Sequence, residues 1–159
     1  MPETRARITT DLGDIVIRFF PDVAPNHVAN FQDLTKRGWY NGKIFHRIIP
    51  NFMIQGGSPN GQGSGDHPDG KKLKAEFNKK PHLPGAVSAA RTNDPNSATT
   101  QFFICHGKHS AFLDGQYTVF GEVVSGMDVV DKIVNAPKGA NDRPNNPVAM
   151  KTVALEQAQ

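Results

Sequence analysis

Residues 45–57, Phe-His-Arg-Ile-Ile-Pro-Asn-Phe-Met-Ile-Gln-Gly-Gly, set an arginine and a glutamine into an apolar, strand-like run that closes on a glycine pair. A charge placed in such a run needs a partner or a task, because an unpaired buried charge is costly. The run holds no Asp or Glu, so Arg47 has no carboxylate close in sequence. A guanidinium beside Phe, Met and Gln suits a site that grips a neutral, carbonyl-rich ligand such as a peptide. Gln55 offers both a donor and an acceptor to a peptide backbone, and apolar neighbours strengthen the arginine's contact by drying it. On the residues alone, a structural cation paired to a distant carboxylate is an equally open reading of Arg47. His46 reads as a hydrogen-bonded structural residue rather than a catalyst.

Other chemistry-bearing residues point elsewhere with less force. Cys105 is the single cysteine, so no internal disulfide forms, which fits a reducing compartment. Flanked by Phe102, Phe103 and Ile104, it reads as a small buried hydrophobe rather than a nucleophile. His106 and His109 lack further ligands in sequence, which speaks against a metal site. Gly65 to Lys71 has the spacing of a phosphate loop. Lys72 occupies the Ser/Thr position, Pro68 interrupts the run and no apolar strand precedes it, so nucleotide binding is not expected. Singly, Phe52, Met53, Phe102, Phe112 and Leu113 would each read as core.

The chain of 159 residues, 37% hydrophobic and 21% charged, fits one globular domain over residues 1–159. A net charge of +3 is no nucleic-acid signature, and Lys71, Lys72, Lys74, Lys79 and Lys80 read as a solvated loop face. The N-terminus leads into no signal-type apolar core and no stretch reaches transmembrane length, so a cytoplasmic protein without membrane contact is expected. With no long apolar surface helix or coiled-coil pattern, a monomer is expected.

The elements that must position these residues follow from periodicity. Residues 6–10 and 14–20 read as a hairpin turning at Asp11-Leu12-Gly13. A helix is predicted from Pro25, with Asp22 or Ala24 as its cap and Gly38 as its stop. Residues 44–49 and 52–55 read as strands broken at Pro50, and 56–85 as a long surface loop. Residues 86–90, 101–105 and 117–124 read as strands. Residues 110–115 read as a tight turn with Phe112 and Leu113 anchored inward. A second helix covers 127–134, and residues 148–155 form a last strand, placed to pair with the first and close the sheet. Many strands and two helices without βαβ alternation predict an antiparallel barrel or sandwich with capping helices.

Phe45-His46-Arg47-Ile48-Ile49-Pro50 followed by Phe52-Met53-Ile54-Gln55-Gly56-Gly57 resembles the signature of the cyclophilins, the cyclosporin-binding peptidyl-prolyl isomerases. Gln101 to Cys105, Phe112-Leu113-Asp114-Gly115 and Val119 to Val123 match the same family in order, so the resemblance spans essentially the whole chain. It implies a mainly β fold, a closed eight-stranded antiparallel β-barrel capped by two α-helices. It also implies cis-trans isomerisation of X–Pro bonds in proline-containing peptides and unfolded clients, aiding folding, with no metal and no organic cofactor. Residue by residue it implies Arg47 as the catalytic arginine and Gln55 as a contact to a substrate carbonyl. Phe52, Met53, Phe102 and Leu113 become the proline pocket, and Gln101 falls in the matched block. Thr92 and Asn93 lie in a stretch that pairs with the substrate backbone in the family, where Arg91-Thr92-Asn93 stands in place of the common Ala-Asn-Ala. Phe112 and Tyr117 stand where many eukaryotic members carry Trp and His. Phe lacks the indole N–H donor, so weak cyclosporin binding is expected. A proline-binding module that holds or regulates a client, with turnover incidental, and a general chaperone, are the competing readings.

Overall fold

The computed structural model describes residues 3–158. Strands β1 (Glu3–Thr10) and β2 (Gly13–Phe19) form the predicted hairpin, with Thr10 opposite Gly13 at its turn. Helix α1 spans Pro25–Lys36, begins on Pro25 after Ala24, and ends ahead of Gly38, whose φ of +71° suits a residue without a Cβ. Its buried face, His27, Val28, Phe31, Leu34 and Thr35, keeps the 3.6-residue period read from the sequence. Strands β3 (Phe45–Ile49) and β4 (Met53–Gly56) flank the break at Pro50, followed by β5 (Ala86–Ala89), β6 (Phe102–Cys105) and β7 (Val119–Ser125). Helix α2 (Met127–Val134) buries Val129, Val130, Ile133 and Val134, and β8 (Thr152–Ala158) ends the chain.

The strands make one eight-stranded antiparallel sheet in the order β3-β4-β6-β5-β7-β2-β1-β8. The first and last strands do pair, from Glu3 opposite Ala158 to Thr9 opposite Thr152. That pairing does not close a barrel as expected, because β8 is itself an edge and β3 is the other. The sheet is an open, half-barrel ladder. Its margins are stitched one step earlier in the chain: Phe45 N–H donates to Val148 O at 3.0 Å, and Met150 N–H to Lys43 O at 2.7 Å, around an isolated bridge of Ile44 with Ala149. Residues 148–150 therefore serve the β3 margin, and the chain reaches β1 only from Lys151, whose N–H donates to Thr9 O at 2.8 Å. This is why the last strand begins four residues later than its alternation suggests.

Two apolar clusters line opposite faces of these strands. The larger packs Ile8, Ile17, Phe45, Ile48, Ile54, Phe102, Ile104 and Phe120 against α1 and α2, with Phe31 at the centre of an aromatic stack including Tyr40 and Phe102. The smaller holds Phe20, Met53, Ala86, Phe103, Cys105, Leu113 and Val119. Residues 111–113 form a single 3₁₀ turn. At its end Leu113 is 7% exposed whereas Phe112 is 65% exposed, so only one of the pair expected to anchor the turn faces inward. Among the described residues no helix is long and apolar enough to cross a membrane.

Candidate active site

Strand register builds the site. Arg47 on β3 lies opposite Gln55 on β4, Gln55 opposite Phe103 on β6, and Phe103 opposite Ser88 on β5. Directly opposed residues share a face, so this row crosses four strands on the side of the smaller cluster. Above it opens a cavity of about 170 Å³, lined by Arg47, Gln55, Met53, Phe103 and Leu113, with Phe52, Tyr117, Ala90 and Arg91 completing the walls. This is below the roughly 300–1,000 Å³ of sites that take whole drug-sized ligands, and suits one small ring.

Arg47 is half-buried in the wall of this slot and, among the described residues, makes no ion pair or side-chain hydrogen bond. The distant carboxylate that would have made it a structural cation is not there. Gln55 is held from behind: its Nε2 donates to Gln101 Oε1 at 2.9 Å, and Gln101 Nε2 donates to Gly63 O at 3.0 Å. One amide N–H and the carbonyl oxygen of Gln55 stay available to a ligand. Gln101 thus orients Gln55 and does not line the slot itself. Phe112 stacks on Phe52 with ring centroids 5.7 Å apart, forming an exposed rim.

Phe102, expected in the pocket, is turned into the main core at 1% exposure, and Phe103 takes its place in the slot. Successive strand residues face opposite ways, so a slip of one position exchanges core for site. The sequence carried the signal: Gln101, on the site face, shares its parity with Phe103 and not with Phe102.

Past Gln55, Ala90 and Arg91 the slot continues into a second cavity of about 390 Å³ that reaches Thr92 and Gln101. Thr92 N–H donates to Ser97 Oγ at 2.9 Å and its carbonyl accepts from Arg91 Nη1 at 2.8 Å, so the turn already uses this backbone. Asn93 is exposed and lines neither cavity. The Arg91 guanidinium folds back over the Tyr117 ring at 4.2 Å and donates to Gln116 O through Nε and Nη2. It is a wall between the cavities that pins Tyr117. On the other side of Arg47 a broader cavity of about 660 Å³ is bordered by His46 and Arg143.

Burial, reinforced by Arg143 and Arg47, lowers the His46 pKa and keeps the ring neutral. Burial pushes the Cys105 thiol up to about 12, consistent with an inert hydrophobe. The slot therefore offers a fixed cation, an amide and apolar walls. Such a set suits chemistry in which no bond is broken.

The family model for cyclophilin type peptidyl-prolyl cis-trans isomerases matches residues 5–155. The chain belongs to this family. It is 43% identical over 168 residues to a probable peptidyl-prolyl cis-trans isomerase of Brucella abortus, covering 98% of this chain and 84% of the relative. It is 42% identical over 146 residues to the peptidyl-prolyl cis-trans isomerase cypE of Dictyostelium discoideum, covering 91% and 92%. Among solved structures, a Cryptosporidium parvum cyclophilin type isomerase superposes with a TM-score of 0.92 at 28% identity, covering 100% of both chains. The same isomerase crystallised in the presence of the dipeptide Ala-Pro superposes at 0.90 with 29% identity, covering 96% and 98%.

Proposed function

We propose that this chain, as one isomerase domain over residues 1–159, turns X–Pro bonds by seating the proline ring in the 170 Å³ slot and donating from Arg47 to the twisted amide. Rotation about a peptide bond destroys its resonance against a barrier of about 18–20 kcal/mol, and X–Pro exchange unaided takes tens to hundreds of seconds. In the twisted state the proline nitrogen becomes pyramidal and regains a lone pair. A guanidinium that donates to that nitrogen stabilises the twisted state over the planar one, and only such differential binding accelerates the step. Donation to the preceding carbonyl oxygen would instead favour the planar amide. A lowering of about 5.5 kcal/mol corresponds to roughly 10⁴-fold, at 1.36 kcal/mol per tenfold.

The observation that carries this reading is Arg47 standing in the slot wall with no carboxylate partner among the described residues. Met53, Phe103, Leu113 and Phe52 supply a dry seat, which a ring without an N–H fills without leaving a donor unpaired. Gln55 takes the substrate backbone, with Thr92 and Gln101 along the adjoining cavity and Asn93 outside it. The Ala-Pro crystallised with the Cryptosporidium isomerase supports proline peptides as ligands. Flexible and unfolded chains are the clients, so the protein aids folding. Its place is the cytoplasm, a reading supported by the single cysteine. Cyclosporin binds weakly, because Phe112 offers the rim a ring but no donor. Exchange spectroscopy on a short Ala-Pro peptide, with wild type and Arg47→Ala, tests the mechanism. Fast exchange that collapses in the variant is expected. Near-normal exchange in Arg47→Ala would remove Arg47 from its role.

A further inference from the structure

Behind the slot lies a buried group that the mechanism above does not use. The His82 side chain has no exposure, although it stands in the long loop between β4 and β5. Its backbone N–H donates to Asp114 Oδ1 at 2.7 Å, and its Nδ1 lies 2.9 Å from the same oxygen. A carboxylate oxygen can only accept, so the ring proton sits on Nδ1. The remaining Nε2 lies 2.9 Å from Ser88 Oγ. The ring itself stacks on Phe103, centroids 6.0 Å apart and 15° from parallel, and Tyr117 meets the same Phe103 edge-on at 5.8 Å. Asp114 follows Leu113 directly and ends its 3₁₀ turn.

Two of these contacts bear on walls of the slot: Asp114 ends the turn that carries Leu113, and the ring stacks on Phe103, whose cross-strand neighbour is Ser88. We infer that His82 and Asp114 together are positioning residues for the proline seat, a clamp that sets the separation of Leu113 from Phe103 without touching substrate. This rests on the slot assigned above.

The clamp has a kinetic signature. The seat grips the ring in planar and twisted amides alike, so loosening it removes uniform binding. That raises KM and leaves kcat in place. Arg47, acting on the twisted amide alone, has the opposite signature. A merely structural His82–Asp114 pair would lower thermal stability while leaving both constants of the folded protein unchanged.

The test is KM and kcat for an Ala-Pro peptide, by exchange spectroscopy, on Asp114→Ala, Asp114→Asn and Phe103→Ala, with a thermal melt for each. The expected result is KM raised about tenfold in Asp114→Ala with kcat within about twofold of wild type. Asp114→Asn, which keeps an acceptor oxygen for both N–H donors, restores KM. If Asp114→Ala does not fold, His82→Asn carries the test. It keeps a donor for Asp114 but removes the ring behind Phe103, and it raises KM with kcat held. An unchanged KM in the folded variant, or an Asn variant as impaired as the Ala variant, overturns the inference. Phe103→Ala separates the layers. If it raises KM while the Asp114 variants do not, the clamp fails and the slot stands; if it leaves KM untouched, the slot fails and the clamp with it.

Discussion

Phe102 and Phe103 are neighbours on one strand with opposite fates. Phe102 is 1% exposed and meets Phe31, Tyr40 and Phe45 edge-on in the main core. Phe103 is nearly as buried but belongs to the smaller cluster, where its ring is shared between the slot, His82 and Tyr117. The face toward the helices carries the larger cluster, whereas the other face leaves a cavity of about 170 Å³ beside the smaller one, and that cavity is the candidate site. The candidate site is thus a gap beside the smaller cluster, with Arg47 in its wall free of any ion pair among the described residues and Arg91 turned back over Tyr117.

The sharpest way to break this contrast is Arg47→Ala. Removing one preorganised donor of this kind costs roughly 10²–10³ in rate. Because Arg47 supports no ion pair among the described residues, the melting temperature should stay close to wild type. A large loss of stability would place Arg47 with the core instead. The paired variants Phe102→Ala and Phe103→Ala come next. Truncating a buried Phe in a filled core costs about 3–5 kcal/mol, so Phe102→Ala should shift the urea midpoint strongly while the protein that remains folded binds peptide normally. Phe103→Ala should cost less stability and more binding. Equal profiles for the two would dissolve the distinction between faces.

A pH titration of stability sharpens the contrast more gently. Burial lowers the pKa of His27, His46, His67 and His82 below the ordinary value near 6.5. The unfolded chain therefore binds more protons than the folded one below that value. The contribution of these rings is whole above about pH 6.5 and is lost as pH falls through their folded pKa values. Urea midpoints at pH 7.5 and 5.0 measure it, and a midpoint unchanged between them would contradict buried neutral histidines. The smallest effect belongs to Phe112→Trp. At 65% exposure the substitution should leave stability alone and deepen inhibition by cyclosporin. Unaltered inhibition would show that the rim donor is unimportant.

Much of this contrast could be read before any coordinates. Hydrophobic period gave both helices and the strands around Arg47, since long amphipathic runs bury one face wherever they fold. The open margin was not legible. Whether residues 148–150 extend β8 or stitch to residues 42–45 depends on a partner more than a hundred positions away. Within the candidate site, Arg47 and Gln55 stand out on their own residue types, Met53 and Leu113 enter only through the family resemblance, and the exchange of Phe102 for Phe103 is a slip of strand parity that Gln101 signals. Arg91 reads in sequence only as a departure from the family pattern, because its brace over Tyr117 needs the fold to form. His82 carries no local signal, because its meaning lies in Asp114, 32 positions on.

Cys105 sits on the same strand as the two phenylalanines, facing the slot-side cluster with no exposure at all. It is the one thiol in the molecule. A disulfide reagent that reports on thiolate can reach it only after that cluster has parted. Its labelling rate is thus a clock for how often the cavity side of the sheet comes undone, separate from global unfolding. The wild-type chain carries this probe already, without an engineered reporter.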